Sequence, residues 1–146
     1  MLNYTGAINH IGLSSSDLAK SKNFYSFLLV DLMGYQIGMD EPSCLMFGRK
    51  TGEGKSPFLI CISPGNTTTP HHKTNPGLHH LAFSAGTQEE IDELHKKIVS
   101  FYESHPGFGH ILNAPALYPE YGPHYYAVFF TDPDGIKLEL AFSEGQ

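Results

Sequence analysis

Long apolar runs and basic residues are both scarce in this sequence. The longest apolar stretches fall well short of the roughly 20 residues that a helix needs to cross a bilayer, which argues against a membrane protein. Nine lysine and arginine residues stand against 15 aspartate and glutamate residues, for a formal net charge of −6. Nucleic-acid-binding proteins usually carry a basic surface stripe, so this composition also argues against a nucleic-acid partner.

Cysteine is scarce as well, since the chain has only Cys44 and Cys61 and they form no recognisable motif. Small secreted domains usually depend on disulfide frameworks, and the first residues lack the features of a secretory signal. We therefore expect a cytoplasmic protein. A composition of 40% hydrophobic and 16% charged residues is typical of a folded domain rather than of a disordered chain.

A short segment occurs twice. Residues 8–14 read INHIGLS and residues 78–84 read LHHLAFS, and both alternate as a half-buried strand would. Each copy places a histidine at the same position, His10 in the first and His80 in the second. The duplication indicates that two similar halves each present an imidazole to a shared site.

Residue patterns predict the same βαβββ order in both halves. Asp17 follows three serines and supplies an N-cap, and Thr87 with Glu90 forms a capping box for the second helix. The predicted elements are a strand at 7–13, a helix at 17–32, strands at 34–39, 43–48 and 57–63 with a turn at 51–55, then a strand at 78–84, a helix after Thr87 and strands at 108–113, 124–131 and 136–142.

These elements predict an α+β fold in which two paired βαβββ modules form a barrel-like, curved mixed sheet, because neither half could cover both faces of a four-stranded sheet alone. We expect residues 1–146 to form a single domain. Module 1 would span about 5–64 and module 2 about 77–143, joined by a linker rich in proline, threonine and glycine.

His10, His80 and Glu139 are candidate metal ligands. A lone histidine on an apolar strand is more often a hydrogen-bonded core residue, but two matched histidines favour a site. Glu139 either faces solvent or, in the interior, requires a cation to compensate its buried charge. Alternation puts His79 on the opposite face from His80, so we interpret His79 as a packing or surface residue.

Two histidines and one carboxylate on separate strands can bind one face of an octahedral ion and leave positions open for substrate or water. The set suits a divalent transition metal, which could be Fe²⁺, Mn²⁺, Ni²⁺, Co²⁺ or Zn²⁺. Ligand type alone does not choose among these ions.

Three segments resemble one known group of proteins. NHIGL at 9–13, HHLAF at 79–83 and DPDGIKLEL at 132–140 are similar to the vicinal oxygen chelate superfamily, which includes glyoxalase I, extradiol dioxygenases, and fosfomycin- and bleomycin-resistance proteins. The resemblance implies metal ligands at His10, His80 and Glu139. It also implies a small-molecule substrate and a homodimer, in which modules pair within one chain or across two.

The sequence departs from that group in several places. Glyoxalase I-type sites add a carboxylate on the last strand of the first module, but residues 57–63 contain none, which leaves Cys61 or a water as the fourth ligand. At the position where dioxygenases commonly have a tyrosine, this sequence has Phe129. Tyr125 lies on the same strand face as Phe129 and could approach the metal. His124 is a candidate acid or base, or an exposed loop histidine. Arg49 is the only arginine, which argues against phosphonate binding.

Two functions therefore remain open. The first is a metal-dependent enzyme with a three-ligand site, either a dioxygenase or a glyoxalase-type lyase, which acts on a small substrate that chelates the metal through adjacent oxygens. Its candidate catalytic residues are Glu139, Tyr125 and His124. The alternative is a non-catalytic protein of the bleomycin-resistance type, which binds or sequesters a small molecule.

Overall fold

A computed structural model describes Gly6, residues 8–49 and residues 58–144 of the chain. The chain divides into two compact units, residues 1–68 and residues 69–146. The turn predicted at 51–55 and the first residues, on which the signal-peptide expectation depends, lie outside the described residues. Within the described part of the chain, no helix is long and apolar enough to cross a membrane.

The first unit contains one helical segment and one four-stranded mixed sheet. Its elements are β1 (His10–Ser15), α1 (Leu18–Tyr25), a π-helical segment (Ser26–Leu32), β2 (Gln36–Glu41), β3 (Cys44–Arg49) and β4 (Phe58–Pro64). Strand β1 pairs in parallel with β4, and β3 lies antiparallel between β4 and β2, so the strand order is β1-β4-β3-β2.

The second unit repeats this topology. Its elements are β5 (Leu81–Ser84), α2 (Gln88–Ser104), β6 (Ile111–Leu117), β7 (Tyr126–Thr131) and β8 (Lys137–Phe142). Strand β5 pairs in parallel with β8, and β7 lies antiparallel between β8 and β6, which gives the order β5-β8-β7-β6.

Both helices begin at the polar residues that the sequence indicates. The Asp17 carboxylate accepts a hydrogen bond from the backbone N–H of Lys20 at 3.0 Å, and the Thr87 hydroxyl accepts one from Glu90 at 3.0 Å. The Glu90 carboxylate reaches back to the N–H of Gly86 at 2.6 Å. These bonds satisfy N–H groups that have no partner inside the helix.

The apolar face of the second sheet packs against α2. Leu138 and Leu140 on β8 are buried, and Ile91, Ile98 and Phe101 form the buried face of the helix. Side chains alternate along a strand, so this packing fixes which residues of β8 point away from the helix. Glu139 is one of them.

The α+β class and the two βαβββ halves are confirmed. The described strands form two separate four-stranded sheets, rather than one closed sheet. Element bounds differ by a few residues: β1 begins at His10 rather than at 7, β5 begins at Leu81 rather than at 78, and the predicted helix at 17–32 changes to π-helical geometry at Ser26.

The turn between β7 and β8 is built around Asp132. This buried carboxylate accepts hydrogen bonds from the N–H groups of Asp134, at 2.9 Å, and Ile136, at 2.8 Å. Gly135 has a φ of +82°, in the left-handed region that favours glycine. The turn therefore sets where β8 begins and so where Glu139 lies.

We expect Asp132→Ala to lower the free energy of unfolding by about 1–3 kcal/mol, because it leaves two N–H groups of the turn without their acceptor. Urea denaturation measures this. Glu103→Ala, at an exposed position of α2, is the control and should stay within about 0.5 kcal/mol of the wild type. Equal stability of the two variants would contradict the role given to Asp132.

Candidate metal centre

Glu139 lies in the middle of β8, between β5 and β7, and is only 3% exposed. Its register partners are Ala82 on β5 and Phe129 on β7. Ala82 and Ala141 are the small residues beside it on the same face. They leave room for longer side chains to reach the carboxylate from the ends of the neighbouring strands.

Tyr125 reaches the carboxylate from one side. It directly precedes β7, and its hydroxyl donates a hydrogen bond of 2.6 Å to Glu139 Oε1. The small Ala127 follows Tyr125 on the same face of the strand. Burial and the negative charge of Glu139 raise the pKa of Tyr125 well above its ordinary value, so the phenol keeps its proton at neutral pH.

His80 reaches the other carboxylate oxygen. Its Nε2 lies 3.2 Å from Glu139 Oε2, and its side chain is 38% exposed. Two ligand atoms at about 2.1 Å from one ion lie about 3.0 Å apart at right angles and about 3.4 Å apart in a tetrahedron. The separation therefore fits two neighbouring ligands of one divalent ion.

His79 does not lie on the face opposite His80, so that prediction was wrong. The two Nδ1 atoms are 2.8 Å apart, and the two rings make an edge contact with centroids 5.0 Å apart. Alternation fails here because strand pairing begins only at Leu81. Partial desolvation and the nearby charges of His80, Lys137 and Lys73 lower the pKa of His79.

Lys137 adds a positive charge to this face. It lies two residues before Glu139 on β8, and its Nζ is 4.1 Å from the centroid of the Phe129 ring. Among the described residues no carboxylate lies within ion-pair distance of this ammonium group. Its location could have been predicted from alternation along β8, but its contact with Phe129 depends on the pairing of β7 with β8.

His10 is in the first unit, at the first residue of β1. It is exposed, and its Nδ1 lies 2.9 Å from Asn9 Oδ1. Within residues 8–49 and 58–144, no group of three or more histidine, cysteine, aspartate or glutamate side chains is assembled as a metal site. The structure thus brings His80 and Glu139 together, while His10 as their third ligand stays a prediction.

His124 is placed differently from Tyr125. Its Nε2 faces Glu144 Oε2 at 3.6 Å, and both side chains are mostly exposed. The structure therefore brings His124 to a surface carboxylate rather than to Glu139, which corresponds to the exposed loop histidine considered from the sequence.

Cys61 occupies the place in the first sheet that Glu139 occupies in the second. Gly12 on β1 pairs with Cys61, as the matching residue Ala82 on β5 pairs with Glu139. Burial and the neighbouring Cys44 thiol raise the pKa of Cys61. A thiol must lose its proton to bind a metal, so this environment disfavours Cys61 as a ligand.

Comparisons with known proteins identify a family and a shared fold. A family model described as the glyoxalase/bleomycin resistance protein/dioxygenase superfamily matches residues 7–140. The chain is 30% identical to the uncharacterized protein YqjT of Bacillus subtilis (strain 168), over 91% of this chain and 96% of that protein. A candidate glyoxalase from Bacillus halodurans is 27% identical, with a TM-score of 0.71 and coverage of 94% and 96%. Lactoylglutathione lyase from Agrobacterium tumefaciens, 21% identical, shares the fold with a TM-score of 0.65 and coverage of 97% and 98%.

We expect the wild-type protein and Tyr125→Phe to show the same change in tyrosine absorbance up to about pH 11. An ordinary tyrosine has a pKa of about 10, but the pKa of Tyr125 is raised well above that value, so its removal takes away no ionisation in this range. Near-ultraviolet absorbance of the folded protein measures this, and the chain unfolded in urea is the control, in which all eight tyrosines ionise together. A drop in amplitude below about pH 11 in the folded variant would show that Tyr125 ionises normally.

Proposed function

Because the chain belongs to the glyoxalase/bleomycin resistance protein/dioxygenase superfamily, we propose that it is a divalent-metal-dependent enzyme acting on a small substrate with two adjacent oxygens. The superfamily includes glyoxalases and dioxygenases. The observation that carries the proposal is the approach of His80 Nε2 to the buried carboxylate of Glu139, at 3.2 Å. The proposed metal ligands are His80, Glu139 and His10.

Glu139 and Tyr125 have different roles in the proposed centre. Glu139 supplies a full negative charge in a buried position, where a cation compensates its loss of hydration. Tyr125 occupies Oε1 with its hydrogen bond, which leaves Oε2 on the side of His80. When bound, a divalent ion of the Fe²⁺, Mn²⁺, Ni²⁺, Co²⁺ or Zn²⁺ type would polarise the substrate oxygens as a Lewis acid.

Glu139 and Tyr125 are the proposed catalytic residues. Tyr125 keeps its proton at neutral pH, since its pKa is raised, so it acts as a hydrogen-bond donor rather than as a base. A carboxylate that exchanges a proton with substrate must be within about 3 Å of it, and Glu139 is the buried carboxylate at this site. The same arrangement serves a lyase or a dioxygenase.

The surroundings favour a substrate with negatively charged oxygens. Lys137 on the Glu139 face has its ammonium group over the Phe129 ring rather than in an ion pair with a described carboxylate. A cation next to the metal ligands would attract a carboxylate or enolate-like oxygen, and the aromatic ring would contact its apolar part.

The remaining proposals concern the setting of the enzyme. Both cysteines are free thiols, which supports a reducing, cytoplasmic location. Exposed apolar side chains on the edge strands, Ile37 and Met39 on β2 and Leu117 on β6, support a homodimer. The net charge of −6 supports a small-molecule substrate rather than nucleic acid.

We expect the chelator-treated protein to bind one of these divalent metals stoichiometrically, and His80→Ala and Glu139→Gln to weaken binding by more than about 100-fold, since outer-shell changes alone cost 10–100-fold. Equilibrium dialysis with Zn²⁺ or Ni²⁺ measures this. His10→Ala tests the third ligand. The control is His72→Ala, because the exposed ring of His72 bonds only to Thr74 among the described residues. Binding that survives both His80→Ala and Glu139→Gln would contradict the proposed centre.

We expect the metal-loaded protein to turn over either a hemithioacetal or a catechol, and Glu139→Gln to abolish that activity. Isomerisation, followed by product absorbance, identifies a lyase, and oxygen uptake with ring cleavage identifies a dioxygenase. The non-catalytic alternative would be supported instead if the wild-type protein binds no metal and turns over neither the hemithioacetal nor the catechol, but does bind a small organic molecule.

A further inference from the structure

The contact between His79 and His80 joins the candidate centre to a residue outside it. The two Nδ1 atoms are 2.8 Å apart, a normal hydrogen-bond distance. A hydrogen bond between these atoms requires that one nitrogen carries a hydrogen and the other a lone pair. The protonation of His80 Nδ1 is therefore linked to that of His79.

The two nitrogens of His80 face different neighbours. Nδ1 faces His79, while Nε2 faces Glu139 Oε2 at 3.2 Å. A neutral imidazole carries its single hydrogen on one of the two nitrogens. Without a metal, Nε2 can carry this hydrogen and donate it to Glu139 Oε2. A cation bound between Nε2 and Oε2 would take the place of that hydrogen, and the single hydrogen of His80 would then lie on Nδ1, which faces His79.

We propose that His79 is a positioning residue: with a divalent metal bound, it would accept a hydrogen bond from His80 Nδ1 and so hold the Nε2 lone pair of His80 toward the metal site beside Glu139. The inference rests on the metal-dependent function proposed above. Metal-bound histidines generally donate their second N–H to a carboxylate, a carbonyl or water, which fixes the ring and its tautomer. Here a neighbouring imidazole takes that place.

His79 contacts the ring of His80 but is itself exposed to solvent. The ring planes meet at 79°, and the two Nδ1 atoms are at hydrogen-bond distance. His79 nevertheless lies in an exposed position before β5, so its substitution does not remove core packing. The effect of a substitution can therefore be read at His80 rather than in the stability of the fold.

Three variants test the role. His79→Leu removes the acceptor, His79→Gln keeps a side-chain acceptor, and His72→Leu removes an exposed histidine elsewhere in the same unit. At about pH 8, where an ordinary imidazole is neutral, calorimetric titration gives the affinity for Zn²⁺. Proton–nitrogen-15 NMR of the Zn²⁺-loaded proteins observes the Nδ1–H group of His80 and how fast it exchanges with water.

We expect His79→Leu to weaken Zn²⁺ binding by about 10–100-fold and to speed the exchange of the His80 Nδ1–H with water, because this group loses its acceptor. His79→Gln should retain most of both properties, and His72→Leu should be unchanged. If wild type binds Zn²⁺ and His79→Leu matches it in affinity and in Nδ1–H exchange, the positioning role is wrong while the proposed function stands. An equal loss in His79→Gln and His79→Leu would make His79 a ligand and overturn the role. Wild-type protein that does not bind Zn²⁺ or another divalent metal would overturn both.

Discussion

A carboxylate that is withdrawn from water needs partners for its charge and for its lone pairs. Glu139, at 3% exposure in the middle strand of its sheet, imposes this requirement on the second unit. Tyr125 satisfies one oxygen and His80 approaches the other. Tyr125 and His80, which directly precede the two flanking strands, are thus the side chains that contact the central carboxylate.

The strand order explains how these groups meet. Strand β8 lies between β5 and β7, and the residue just ahead of each flanking strand, His80 and Tyr125, reaches back to Glu139. These two residues are far apart in sequence. They reach one carboxylate because β5 pairs in parallel with β8 and β7 pairs antiparallel with β8. The opposite face of β8 is committed to the helix, through Leu138 and Leu140.

Local signals were sufficient for much of this structure. Caps at Asp17 and Thr87 and alternation along the strands predicted the element order and the side of β8 on which Glu139 lies. The same reasoning misplaced His79, because alternation holds only where a strand is paired, and pairing at Leu81 depends on a partner far along the chain. His124 likewise acquired its neighbour, Glu144, through tertiary structure. Short-range patterns thus predict elements well and strand ends poorly.

The matched positions of Cys61 and Glu139 show how little the strand framework depends on what stands at its centre. Both sheets keep one order and one register, although one holds a protonated thiol where the other holds a carboxylate. The strand framework therefore does not depend on which of these two side chains lies at its centre. The carboxylate, in contrast, depends on Tyr125 and His80, so exchanging the central residue alone would not transfer the candidate centre from one sheet to the other.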